Sequence, residues 1–279
     1  MLEEVKPSLV DGTVDTRSEG SAGRVGMAKE LFQFFLLILV LSWLPGWMMV
    51  YSHNNWLKYS CLIAFGAGPA ISAMIVNRGK RPLLRKFLIW PLSAVHVLAA
   101  ILLPLTLLIG SLVLALYLPD EQPSVMPAVG MVGVAAACAF GILANPWEEV
   151  AWRGFLLVRI QPIVGPVTAS LLVGLTSSVW HLPLFAVSDS PMNSYPWGYW
   201  MLGTIAVSLM STLLFNLSGE SLTIVSILHI SMNTESAALG IPSFRAYALA
   251  SVLMILGLAF LLTKQSSKFS KENCRHNKA

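Results

Sequence analysis

Three short clusters in the second half of the chain set polar and ionisable residues into otherwise apolar sequence. The first is Pro146-Trp147-Glu148-Glu149-Val150-Ala151-Trp152-Arg153-Gly154. The second is Trp180-His181-Leu182-Pro183, and the third is Leu228-His229-Ile230-Ser231-Met232-Asn233. Glu149 and Arg153 are four apart, so on a helix they share a face and can pair. Glu148 is turned from Glu149 by about 100°, which leaves its carboxylate free for another task. His229 and Asn233 are also four apart and project together, while His181 comes from a separate helix. If these helices meet, a carboxylate, two imidazoles and a carboxamide surround one polar space. Such a set can hold a water, remove its proton and stabilise an oxyanion. It can equally ligate zinc through Glu148, His181 and His229.

Plainer readings stand beside this one. Glu149 and Arg153 also suit a structural ion pair between helices. A lone histidine in a span is usually a hydrogen-bonded helix contact, and His96 fits that reading. His53 and His276 read as interface and tail residues. Glu235 faces away from His229, and Glu220 suits the start of a helix, where a carboxylate is favoured. Met48, Met49, Trp43, Trp47, Trp197 and Trp200 read as packing and interface-belt residues.

The elements that must position these groups are membrane helices. The chain has 279 residues, 56% hydrophobic and only 11% charged, with a mean hydropathy of +0.70. An average soluble chain carries about 25% charged residues, so a soluble domain, a disordered chain and a coiled coil are all excluded. Cys61, Cys138 and Cys274 form no CxxC pair, and neither a zinc knuckle nor a disulfide framework is indicated. A spanning helix needs about 20 predominantly apolar residues. The apolar runs predict an all-α, polytopic membrane protein of about eight transmembrane helices. These are roughly Leu31–Tyr51, Tyr59–Val76, Val95–Leu118, Val125–Ala144 running on into the first cluster, Pro166–Val187, Trp197–Leu217, Ser221–Leu239 and Ala246–Thr263. With eight spans, every Lys and Arg except Lys58 and Arg245 falls on one side of the bilayer. The positive-inside rule makes that side cytosolic and puts both termini there. The net charge of +4 therefore does not point to a nucleic-acid partner. The same sorting sets the Glu148–Glu149 pair at the cytosolic end of the fourth span.

Glu148-Glu149-x-x-x-Arg153-Gly154-Phe155-Leu156, then His181-Leu182-Pro183, then Gly219-Glu220-Ser221-Leu222 ahead of His229-x-x-x-Asn233, resemble the motifs of the CPBP family of intramembrane proteases. That family includes the Ras-converting type II CAAX prenyl endopeptidases. The resemblance covers about residues 125–240, the family's catalytic four-helix core, and eight spans also suit the family. There is one departure. The family's second motif is FxxxH, and the position four before His181 is Ser177, a smaller and polar side chain that bears on substrate fit.

The resemblance implies that Glu148 is the base activating water and that His181 and His229 position the water or the oxyanion. It implies that Asn233 donates to the oxyanion and that Glu149 and Arg153 organise the site. It permits a metal-free glutamate mechanism or a zinc one; the Asn beside His229 favours the metal-free form, with no cofactor. Four regions are expected: a disordered cytosolic tail (1–30), N-terminal transmembrane helices (31–124), a catalytic core (125–240), and a last helix with a basic cytosolic tail (241–279). The expected protein is an integral membrane endopeptidase, placed in the plasma membrane of a prokaryote. Its partners would be the lipid bilayer and a membrane-tethered or lipidated protein or peptide, a prenylated CAAX-type protein among them. The alternatives are a non-catalytic scaffold or regulator of the same family, a bacteriocin-immunity protein, and a small transporter.

Overall fold

In a computed structural model the described residues are 16–78, 83–89, 92–118, 128–188, 190–241 and 243–276, with side chains described between 25 and 265. Every element among them is helical. α1 (Thr16–Ile38) passes through a π-helical turn, Leu39–Trp43, into α2 (Leu44–Tyr51), and α3 is Asn55–Asn77. A short 3-10 helix, Leu83–Leu88, precedes α4 (Ala94–Ala115). α5 (Met131–Glu149) continues through a π-helical segment, Val150–Leu157, into α6 (Val158–Trp180) and the short α7 (Leu182–Ala186). After a 3-10 turn at Pro191–Ser194 come α8 (Trp197–Leu217), α9 (Leu222–Leu239) and α10 (Phe244–His276).

Among the described residues six helical stretches are long and apolar enough to cross a membrane: Val25–Tyr51, Asn55–Asn77, Ala94–Ala115, Met131–Ala186, Trp197–Leu217 and Phe244–Gln265. The expected count of eight is not confirmed, for two reasons. The expected fourth and fifth spans share one helical path of 56 residues. That path bends at Gly165, whose φ of 78° lies in the left-handed region between Pro162 and Pro166. The expected seventh span is α9, which is helical throughout but is diluted by His229, Asn233 and Glu235. Of the expected tail 1–30, residues 1–15 lie outside the described residues and the rest already belong to α1. Glu30 anchors that early turn through an ion pair with Arg159 at 2.9 Å.

Packing produces two large cores and a small cluster of Met49, Cys61 and Val187 among the described residues. Phe34, Phe65, Trp152, Phe155, Trp180 and Phe215 centre the first, built by α1, α3, the π-helical segment, α6 and α8. Leu107, Leu209, Met210, Ile224 and Leu228 centre the second, where α4, α8, α9 and α10 meet. Helices in lipid gain little from the hydrophobic effect between themselves, so close backbone approach matters. A Cβ on Gly68 would stand 2.6 Å from Ser42 Cβ, and one on Gly174 would stand 2.9 Å from Ile205 Cα. These glycines let α3 close on the Leu39–Trp43 turn and α6 close on α8. The outward faces keep Leu98, Leu102, Leu253, Leu256 and Phe260 exposed, as apolar solvent requires.

The helical path runs on from Ala144 into the first cluster, as expected, and does not stop at the Glu148–Glu149 pair. The helical path runs on through Val150–Leu157, all eight residues of which are buried. Charges end a membrane helix when they must reach water; here they are answered inside the protein, and the helix continues.

Candidate functional site

Pro146 lies within α5, two residues before Glu148. A proline offers no N–H to the helix ladder, and the π-helical segment follows at once. π-Bulges are a common way of aiming side chains at functional sites. In this one, residues four apart reach back to the carboxylates. Trp152 Nε1 donates to Glu148 Oε2 at 3.4 Å, and Arg153 Nη1 donates to Glu149 Oε1 at 3.1 Å. Glu149 is fully buried and Arg153 is 4% exposed.

The imidazoles are held by the same nitrogen. His181 Nδ1 bonds the carbonyl of Ser177 at 2.8 Å, and His229 Nδ1 bonds Glu149 Oε1 at 2.9 Å. With Nδ1 occupied as a donor, Nε2 is the ring nitrogen left over in each. An aromatic stack fixes the His181 end of α6. Phe65 and Trp180 lie parallel at 4.4 Å, and His181 packs edge-on between Trp180 and Trp200. Trp180 Nε1 donates to Ser42 Oγ, which itself donates to the Phe65 carbonyl, each at 2.6 Å. Trp43 Nε1 caps the Trp180 carbonyl at 3.1 Å. Trp43 and Trp200 thus contribute to the site's framework, beyond the belt role expected of them.

These groups surround one cavity of about 410 Å³ between the two cores. Glu148, Arg153, His181, His229 and Asn233 all line it, brought there from α5 and its π-helical extension, the α6–α7 junction and α9. Glu149 does not line it and lies behind His229 and Arg153. Much of the remaining wall is apolar or aromatic, including Leu62, Phe65, Phe140, Met192, Trp200 and Met232. Ser177 also lines the cavity; its hold on His181 comes from the backbone carbonyl and not from the side chain.

Among the described residues no three His, Cys, Asp or Glu side chains are grouped so that they could hold a metal ion. Glu148, His181 and His229 line the cavity without forming such a group. Glu235 leaves Oε2 buried without a hydrogen-bond partner. Glu220 precedes the N-cap of α9 with φ of 69° and pairs with Lys86, while Ser221 Oγ caps the Ile224 N–H.

One residue at this site was not read from the sequence. Asn145, 1% exposed, lines the cavity and accepts from Asn233 Nδ2 through Oδ1 at 3.3 Å. The available signal was spacing: Asn145 stands four before Glu149 as Asn233 stands four after His229.

Residues 130–234 match the Rce1-like family, type II CAAX prenyl endopeptidases. The expected resemblance to CPBP proteins is thereby shown. All six residues of the expected site fall inside the matched region. The chain is also similar to CAAX prenyl protease 2 of Methanococcus maripaludis, at 25% identity over 136 residues, or 47% of this chain. It spans about half the length of that relative, 50%.

Proposed function

We propose that the Rce1-like region is an intramembrane endopeptidase that hydrolyses a peptide bond of a membrane-associated, lipidated protein or peptide. The observation that carries this reading is the single cavity lined by Glu148, His181, His229 and Asn233. Hydrolysis within a bilayer needs a polar space walled from lipid, and protein-lined cavities are where such groups are tolerated.

In the mechanism, Glu148 takes a proton from water as the water oxygen attacks the scissile carbonyl carbon. The carbonyl π electrons move to oxygen, and the free N–H of the Asn233 carboxamide stabilises the oxyanion together with the imidazoles. Nε2 of His181 and of His229 accepts from the attacking water when the ring is neutral and donates to the oxyanion only once the ring is an imidazolium. The tetrahedral intermediate then collapses. The C–N bond breaks, and the proton held by Glu148 passes to the leaving nitrogen, giving an amine and a carboxylic acid, whose own proton then passes to the amine to leave carboxylate and ammonium. Glu149 keeps the His229 ring oriented and balances the charge of Arg153. Trp152 restrains the Glu148 carboxylate.

The apolar wall supports a substrate with a large hydrophobic group, and the printed name of the relative supports a prenylated CAAX-type sequence. The one-sided distribution of Lys and Arg supports cytosolic termini.

The test uses the full chain in proteoliposomes with a fluorescence-quenched, farnesylated peptide ending in Cys-aliphatic-aliphatic-X. The native chain should cleave it, and Glu148→Gln should lose about 10²–10⁴ of the rate, the usual contribution of general base catalysis. Equal cleavage by native chain and variant would remove Glu148 from the mechanism.

A further inference from the structure

α5 and α9 pack along each other, and their facing polar residues form two rungs one helical turn apart. Glu149 meets His229 at one rung, and Asn145 meets Asn233 at the other. Gly141 lies one turn before Asn145, where a Cβ would make ordinary contacts, 3.4 Å from Asn145 Nδ2 and 3.6 Å from Ile230 Cα. The first rung orients an imidazole. The second has the same geometry and works on an amide.

Packing alone does not explain Asn145. It is 1% exposed, and its Nδ2 is buried with no hydrogen-bond partner. A buried donor left unmade is costly. A leucine would fill this seam without the orphan N–H. What the amide supplies and leucine cannot is an acceptor, Oδ1, aimed at Asn233. A carboxamide has an oxygen end and a nitrogen end, and only the nitrogen end can donate to an oxyanion. By engaging one Nδ2 hydrogen of Asn233, Asn145 fixes which end is which and leaves the other hydrogen for the cavity.

Resting on the proposed proteolytic reading of this cavity, we infer that Asn145 is a positioning residue that presents the Asn233 amide N–H to the developing oxyanion. It acts through Asn233 and makes no substrate contact of its own.

The test is a double-variant cycle on the full chain in proteoliposomes, with the farnesylated, quenched CAAX peptide as probe. kcat and KM are measured separately and Tm is recorded for each variant. Asn145→Leu should fold, lose about 10–100-fold in kcat, and keep KM within about 2-fold. Loss of a whole oxyanion donor is worth about 10²–10³ in kcat, so Asn233→Ala should cost more. In the Asn233→Ala background, Asn145→Leu should have almost no further effect, because its route of action is gone. Asn145→Ala, which leaves a gap in the seam, should lower Tm yet give the same kcat pattern. A loss that multiplies fully with that of Asn233→Ala, or one that appears in KM with kcat unchanged, overturns the inference while leaving the protease reading in place. Unchanged cleavage by both Glu148→Gln and Asn233→Ala overturns the protease reading and the inference with it.

Discussion

Replacing Glu149 with alanine should unfold the protein more readily than any single lost hydrogen bond would. Glu149 is fully buried, and the Arg153 side chain is 5% exposed. One carboxylate oxygen, Oε1, accepts from Arg153 at 3.1 Å and from His229 at 2.9 Å. A guanidinium cannot shed its charge, so Glu149→Ala leaves a buried cation without its partner. Breaking a buried pair from one side costs about 3–5 kcal/mol. If the two contacts counted only as ordinary bonds between membrane helices, at roughly 0.6 kcal/mol each, the loss would be near 1 kcal/mol.

Tm shifts separate the two accounts. At roughly 2–4 °C per kcal/mol for chains of 150–250 residues, the buried-charge account predicts a fall of about ten degrees for Glu149→Ala in detergent micelles. Arg153→Met added to Glu149→Ala removes the stranded cation and should recover most of that fall. A Glu149→Ala variant melting within about 2 °C of native, or a double variant worse than the single, would refute the reasoning.

Three further outcomes follow from the packing and the cavity. Gly68→Ala should destabilise by about 1–3 kcal/mol, the cost of overpacking, because its Cβ would meet Ser42 Cβ at 2.6 Å and the Leu41 carbonyl oxygen at 2.9 Å. Gly257→Ala, with nothing within 4 Å, is the thermal-melt control and should not move. Ser177→Phe should raise KM for the farnesylated peptide with little change in kcat, since the side chain fills cavity space while the backbone carbonyl keeps its bond to His181. An equal collapse of kcat would show that the side chain serves His181 after all. Cleavage in proteoliposomes should survive a strong chelator, because the proposed mechanism activates water with the Glu148 carboxylate alone. A loss restored by added zinc would overturn the metal-free mechanism.

The sequence revealed the helical membrane class because composition alone forbids a soluble surface. It revealed the Glu149–Arg153 pair because four-residue spacing is a local property of any helix. Span counting was less secure, since windows of hydropathy cannot see the Gly165 kink inside one long helical path. They also undervalue α9, whose polar residues face a cavity and not lipid. How far the helix runs past Ala144 into the first cluster was hidden for a related reason. Charges at 148, 149 and 153 look like an exit to water until Trp152 and His229 are seen to answer them. That Glu149, and not Glu148, takes His229 is a tertiary fact set by how α5 meets α9. Asn145 was hidden because it sits beside Pro146 where the expected fourth span runs on into the first cluster, and an asparagine there reads as punctuation.

The most direct measurement is comparative peptidomics of membranes from cells carrying the native chain or Glu148→Gln at equal abundance. The account predicts new peptide ends, on membrane-associated proteins, that occur with the native chain and vanish with Glu148→Gln. Identical peptide ends in both membranes would contradict it.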